Sequence, residues 1–464
     1  MVNSVTDSLL SGLNDQQQSA VLHMQGPMLV LAGAGTGKTM VITRRIANLL
    51  SLGVAPEEIL AVTFTKKAAL EMKQRVQTLL GGELPKLTVC TFHALGHRML
   101  REQRIATDAR GSVNVVAANQ QRELAEAALR QIDADEELDS WAALRLIGRV
   151  KTTAAILGDQ TGDELTDAEQ LTVTYEEGLR QCGKVDFDDL LVLPVKALQE
   201  SADLRDSYQL RWKYILVDEY QDTNELQHQL VRLLVGSNEN LCVVGDDDQS
   251  IYGFRGASAE KMLNFRDEFP AAKIVKLEHN YRSKAEIIGL ANSVIERASQ
   301  RYRKTLRAHA GRGGQITHTV TPDALHESQH IVSCMRSRRW RSRWSDMAVL
   351  YRVAADARPL IDQLKKNRIP YHSGGEKNSN RDSITIMTLH RSKGLEFPIV
   401  FLPAVEEDTL PHFHAISDGD VEEERRLLYV GITRAKQELV ISSCESRHGH
   451  ARTASRFLTE LNCI

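Results

Sequence analysis

Short continuous apolar runs punctuate both ends of the chain. Met28 to Leu31, Ile59 to Thr63, Leu87 to Cys90, Tyr214 to Val217, Leu241 to Gly245 and Lys273 to Leu277 come first. Met347 to Tyr351, Ser383 to Met387, Ile399 to Leu402 and Leu439 to Ser442 follow. Runs this short, apolar on consecutive positions and bounded by polar or glycine-containing stretches, predict strands buried on both faces. Between residues 94 and 210 the pattern changes. Gln120 to Ile132 and Trp141 to Lys151 carry apolar residues at helical spacing, and strand signals are few. The expected fold is α/β, with parallel sheets and a helical insertion. Tyr371 to Arg381 (YHSGGEKNSNR) is polar and short and reads as a surface turn.

Several of these strands end in chemistry. Met28 to Leu31 runs into Ala32-Gly33-Ala34-Gly35-Thr36-Gly37-Lys38-Thr39, and Met40 to Leu50 then reads as a helix. Strand, glycine loop and helix in that order make a phosphate cradle. Small residues let backbone N–H groups wrap a phosphate chain, and the helix start adds positive dipole character. Lys38 reaches the β- and γ-phosphates in this reading, and the Thr39 hydroxyl holds Mg²⁺. Ala32 stands where the pattern usually opens with glycine. Tyr214 to Val217 ends in Asp218-Glu219, a metal-holding carboxylate followed by one that orients or deprotonates water.

Leu241 to Gly245 leads into Asp246-Asp247-Asp248-Gln249-Ser250-Ile251-Tyr252-Gly253-Phe254. Gln249 suits a γ-phosphate sensor, and Tyr252 and Phe254 suit stacking on bases. The three aspartates read as a solvated turn. Phe64 and the Thr91-Phe92-His93 stretch also follow strands, and either aromatic fits core packing as well as base stacking. Asp186, Asp188 and Asp189 read as a helix start rather than a metal cluster. Arg282 and Arg434 are candidate arginine fingers. Arg336 to Arg343 is basic and reads equally as a solvated face or a binding patch.

The bulk numbers narrow the field. With 464 residues there is room for two or three domains, and 42% hydrophobic with 26% charged residues is the balance of a globular protein. No apolar run is long enough for a bilayer, and Met1 to Leu10 lacks the order of a signal peptide. Six scattered cysteines (Cys90, Cys182, Cys242, Cys334, Cys444, Cys463) fit a reduced, cytoplasmic setting without metal cluster or disulfide frame. A net charge of −3 gives no hint of nucleic acid, although a local basic stripe suffices to bind it.

Taken together, LNDQQ, AGAGTGKT, AVTFTKKAALEM, TFHALGHRML, LVDEYQDTN, VVGDDDQSIYGFRGA, LEHNYRS, TIMTLHRSKGLEF and EERRLLYVGITRAK resemble the UvrD/Rep family of superfamily-1 DNA helicases, in the family's order and nearly end to end. The resemblance implies two RecA-like parallel-sheet motor domains with ATP and Mg²⁺ between them. The first would take residues 1–93 and 211–278, the helical accessory insertion 94–210, and the second 279–464. It implies 3′→5′ movement on single-stranded DNA and at single-strand/duplex junctions, in replication, repair or recombination. By the same resemblance Gln17 contacts adenine, Tyr281 stacks on it and Glu396 lies near the ribose. Phe64, Thr91, His93, Tyr252, Phe254 and His390 line the DNA track. Arg282 and Arg434 supply transition-state charge, beside Lys38, Asp218, Glu219 and Gln249.

Departures from the pattern carry their own expectations. Met40 replaces an arginine that would face adenine, and Lys66 replaces an asparagine. The large helical insertion usual before TLHRSKGLEF is reduced to the loop 371–381, and neither a tail nor a nuclease domain follows the last motif. These features point to a minimal, less restrained motor. The rival readings are a translocase that strips proteins without unwinding, or a nucleotide-gated subunit of a repair, replication or nuclease partner. No membrane is expected, and RNA remains open as a substrate.

Overall fold

The computed structural model describes residues 8–107, 111–132, 138–158, 165–374 and 382–461. The first six strands are β1 (Met28–Ala32), β2 (Ile59–Thr63), β3 (Thr88–Thr91), β4 (Tyr214–Val217), β5 (Leu241–Gly245) and β6 (Lys273–Leu277). They form one sheet in the order β3-β2-β4-β5-β1-β6. The pairs β2–β3, β2–β4 and β4–β5 are parallel. β1, β2 and β5 are buried at every position, as continuous apolar runs require.

β7 (His279–Asn280) and β8 (Arg307–Ala308) make a two-stranded pair. β9 (Gln315–Asp323), β10 (Met347–Tyr351), β11 (Tyr371–Ser373), β12 (Ile384–Thr388), β13 (Phe397–Leu402), β14 (Ala435–Arg447) and β15 (His450–Ala451) form the second sheet. Its order is β11-β12-β10-β13-β14-β15, with β9 also on β14. All its pairs are parallel except β14–β15.

Two strand expectations need correcting. Tyr371 to Ser373, read as part of a turn, is β11, with Tyr371 opposite Ile384. The rest of that stretch, 375–381, lies outside the described residues. β9 was not expected, because Gln315–Asp323 mixes threonine and histidine with isolated apolar positions.

Packing divides the chain into two units. One comprises 1–29, 39–244 and 266–274; the other comprises 30–38, 245–265 and 275–464. The second unit thus takes the glycine loop from early in the chain.

Within the first unit the helices Ala118–Gln131, Ser140–Leu157 and Asp167–Gln181 share their own core of Ala125, Ala143, Ile147, Leu171, Tyr175 and Leu179. Asp186 and Asp189 are more than a helix start. Both are buried, with the Lys151 ammonium 2.9 Å from Asp186 and 2.5 Å from Asp189. Within the second unit, buried Arg447 at the end of β14 donates to Glu327 at 2.6 Å and to Glu406 at 2.8 Å. Each charge in these two clusters has opposite partners, as its desolvation demands.

Candidate functional sites

In the second unit the glycine loop closes on itself through Thr36, whose hydroxyl donates to the Gly33 carbonyl at 2.8 Å. Gly35 and Gly37 have φ of +67° and +87°, the left-handed region that glycine enters without cost. A Cβ on Gly35 would come within 2.6 Å of Asn280 Nδ2. Asn280 braces the loop. Its Nδ2 donates to the Ala34 carbonyl at 2.6 Å, and the Tyr281 N–H donates to the Gly35 carbonyl at 2.9 Å. Asn280 Oδ1 accepts the N–H groups of Arg282 (2.9 Å) and Ser283 (2.8 Å). This side-chain turn orients Tyr281 and Arg282 together.

The Tyr281 ring is exposed and lies 4.8 Å from that of His309. Arg282 Nε donates to Glu396 at 2.6 Å and Nη1 to the Thr433 carbonyl at 3.2 Å. Glu396 also pairs with Lys436 at 2.6 Å. Burial pushes the Glu396 carboxyl up, but Lys436 and Arg282 outweigh it and hold it below the usual range.

Gln249 is gripped at both ends of its amide. Nε2 donates to Asp246 at 2.6 Å, and Oε1 accepts from Arg434 Nη2 at 3.3 Å. Lys393 donates to the Gln249 carbonyl at 2.6 Å. Arg434 is only 1% exposed, so it is no surface ion-pair residue. Its other donors reach Val430 O, Leu395 O and Thr433 Oγ1 at 2.9, 3.2 and 3.1 Å. Gln249, Arg434, Arg282, Glu396, Tyr281 and Lys38 therefore all lie in one packed unit.

The solvated turn expected for Asp246, Asp247 and Asp248 is overturned, since all three are buried. Lys304 fills their centre, with Nζ 3.0, 2.5 and 2.7 Å from the three carboxylates. Arg301 donates twice to Asp248, both at 2.7 Å. The arrangement groups three carboxylates as a metal site would, but the ammonium already supplies the cation, so a metal does not fit. Burial lowers the Lys304 pKa, yet the aspartates outweigh it and hold the group well above its usual range. Burial also raises Asp247, against the pull of Lys304. Sequence reasoning missed Lys304 and Arg301, because their partners lie more than fifty residues away.

The aromatic residues beyond Gln249 cluster. Phe254 is exposed, 6.0 Å from the Tyr252 ring and 5.7 Å edge-on from His390. Lys393 Nζ lies 5.2 Å from the Tyr252 ring centre.

In the first unit Phe64 and Asp218 directly follow the parallel strands β2 and β4, and Thr91 is the last residue of β3. Glu219 follows with φ 52° and ψ 45°, a left-handed backbone that a side-chain-bearing residue seldom adopts. Strain of this kind, about 1–3 kcal/mol, concentrates at functional positions. The Glu219 N–H donates to Asp218 Oδ1 at 3.0 Å, and Gln221 donates to Glu219 Oε2 at 2.6 Å. Thr39 sits in the first turn of the helix Lys38–Ser51. Thr39 and Asp218 offer hard oxygen donors, the set that suits Mg²⁺. Gln17 is fully buried in a capping box with the N-cap Asn14.

Thr91 caps the helix Phe92–Glu102. Phe92 is core, whereas Phe64 is half-buried. His93 stacks on Phe187 with ring centres 3.9 Å apart, and Phe187 is exposed. Burial pushes the His93 pKa down to about 4, so the ring is neutral at pH 7. Phe187 carried no signal beyond its aspartate neighbours.

With these placements established, the comparisons decide the lineage. Residues 13–270 match the UvrD/REP helicase N-terminal domain, and residues 275–378 and 372–446 match the UvrD-like helicase C-terminal domain. The chain belongs to the UvrD/Rep helicase family. Its relatives include the ATP-dependent DNA helicase PcrA of Leuconostoc citreum, 39% identical over 82% of this chain and 52% of that protein. The PcrA helicase of Staphylococcus epidermidis RP62A is 28% identical over 98% of this chain and 87% of its own length. The ATP-dependent DNA helicase Rep of Escherichia coli is 28% identical over 97% and 94%.

The family is one of ATP-hydrolysing enzymes that act on DNA, and its α/β fold agrees with the two sheets. The last two alignments run over 633 and 631 positions, more than the 464 residues available, so these relatives carry sequence that this chain lacks. The two stretches that match the C-terminal domain overlap at residues 372–378. Among the described residues no helix is long and apolar enough to cross a membrane.

Proposed function

We propose that this protein is an ATP-driven motor that moves 3′→5′ along single-stranded DNA and opens junctions during replication, repair or recombination. The observation that carries the reading is the segment Gln249 to Phe254. One end is held by Asp246 and Arg434, as a phosphate sensor should be, and the other presents the half-buried Tyr252 ring and, five residues after Gln249, the exposed Phe254 ring. A change at the nucleotide then has a short covalent route to the strand.

In this reading the glycine loop Ala32 to Gly37, with Lys38, takes the phosphates. Gln17 and Tyr281 hold the base, and Glu396 the ribose. Mg²⁺, held by Thr39 and Asp218, would neutralise developing phosphate charge. Glu219 orients the attacking water, and Gln249, Arg282 and Arg434 stabilise charge on the transferred phosphoryl group. Phe64, Thr91, His93, Tyr252, Phe254 and His390 form the DNA track. The motor domains are taken as 1–93 with 211–278, and 279–464, with 94–210 as a helical accessory and 371–381 in place of a second one. The family relation supports these roles through matching motifs.

The test is ATP hydrolysis with and without oligo(dT), beside strand displacement on 3′- and 5′-tailed duplexes. DNA-stimulated turnover that Glu219→Gln abolishes, with unwinding from the 3′ tail, is expected. Turnover indifferent to DNA would refute the motor, and unwinding from the 5′ tail would refute the direction.

A further inference from the structure

We propose that Glu423 is a positioning residue for the DNA-facing loop, holding Tyr252 and Phe254 through a single bond to the Gly253 backbone. The inference deepens the reading above, since it rests on these rings touching DNA. Glu423 lies on the helix Val421–Ile432, which ends two residues before Arg434. Its Oε2 accepts the Gly253 N–H at 2.9 Å. Gly253 sits between the two stacking residues, so that bond fixes the backbone from which both rings project.

The loop is thereby held to one helix at both ends. Arg434, just past the C-terminus of the helix, reaches Gln249 at 3.3 Å. Glu423, in its first turn, reaches Gly253. A shift of that helix on loss of a phosphate charge beside Arg434 therefore moves the sensor and the aromatic rings together. The absence of a side chain at 253 makes this approach possible, because a Cβ there would overlap Glu423 Oε2. That atom ends a flexible side chain, so Gly253→Ala would displace the carboxylate rather than disrupt the fold.

The surroundings of Glu423 make the tie sensitive to protons. Burial, then Asp420 and Glu424, raise its carboxyl to about 7, while the Gly253 N–H and Arg426 oppose them. Arg352 and the His412 N–H face Glu424 rather than Glu423. On the loop's far side the His390 ring lies 5.7 Å from that of Phe254. An ionised acceptor makes a bond roughly twice as strong as a neutral one, so the loop is held best above pH 7.

The experiment is the affinity of the full chain for fluorescein-labelled oligo(dT), by anisotropy, from pH 6 to 8.5. The parent protein should bind several-fold more weakly at pH 6 than at pH 8. Glu423→Gln keeps the acceptor without the charge and should give intermediate, less pH-dependent affinity. Glu423→Ala and Gly253→Ala should both lose about five-fold or more at pH 8.

Equal affinity in the parent and in both broken-tie variants would overturn the role of Glu423. So would equal losses in Glu423→Gln and Glu423→Ala, because the acceptor would then not matter. Failure of the broader reading looks different: the parent itself would not bind oligo(dT) at any pH.

Discussion

Replacing Lys304 by methionine tests the buried ion cluster next to Gln249. In the folded protein its ammonium is 3.0, 2.5 and 2.7 Å from Asp246, Asp247 and Asp248, and Arg301 covers only Asp248. At about 3 Å and an effective dielectric near 20, one such pair attracts by about 5 kcal/mol before desolvation is counted. Most of that attraction offsets the cost of burial. What survives on removing one partner of a buried pair is about 3–5 kcal/mol of destabilisation. Lys304→Met should therefore reduce hydrogen-exchange protection of the amides around β5 and Gln249 by about two to four decades, after correction for intrinsic exchange.

The sign of the pH effect is fixed. Asp247 already has a raised pKa, and loss of the ammonium raises it further. A carboxyl whose folded pKa exceeds its unfolded value, about 3.9, stabilises the fold below that value. The contribution fades as pH rises through the folded pKa. The defect should thus deepen from pH 5 to pH 8, with a slope of up to about 1.4 kcal/mol per pH unit for one proton. Adding Asp247→Asn should recover part of the loss. A defect below about 1 kcal/mol, or one equal at pH 5 and pH 8, would refute the counter-ion reasoning.

Two further outcomes can be read from the first unit. Gly96→Ala would drive a Cβ into the Leu190 carbonyl, a backbone atom that cannot swing aside, so the helices Phe92–Glu102 and Asp189–Glu200 must separate. About 1–3 kcal/mol of lost stability is expected in thermal melts, and an unchanged melting temperature would contradict the packing. His93, with its pKa lowered to about 4 by burial, contributes stability above pH 6.5 that is lost as pH falls towards 4. His93→Phe should flatten that part of the stability profile, and a profile identical to the parent's would deny His93 any share in it.

What the sequence revealed and what it hid follow from the range of the forces involved. ILAVT and LCVVG are buried along their whole length and YILV at all but its first residue, so their burial is written in consecutive letters. Asn14 and Gln17 cap each other across three residues, a bond of similarly short range. β9 was not, because only part of it is buried and its partner is β14, more than a hundred residues later. The ion clusters escaped for the same reason. Nothing beside Asp186 announces Lys151, and nothing beside Asp246 announces Lys304. The glycine loop was read as a self-contained cradle, whereas Asn280 braces it through a side chain whose role no local pattern could assign.

That brace has a consequence for the newborn chain. Ala34 leaves the ribosome 246 residues before Asn280, the donor that bonds its carbonyl. At about 5–20 residues per second, synthesis separates the two by on the order of 10–50 s. During that interval the loop must exist without its brace, and nucleotide captured then would meet a cradle lacking Tyr281 and Arg282. Nascent chains stalled before and after residue 282 would differ in their grip on ATP, which makes the order of translation itself part of how this site is assembled.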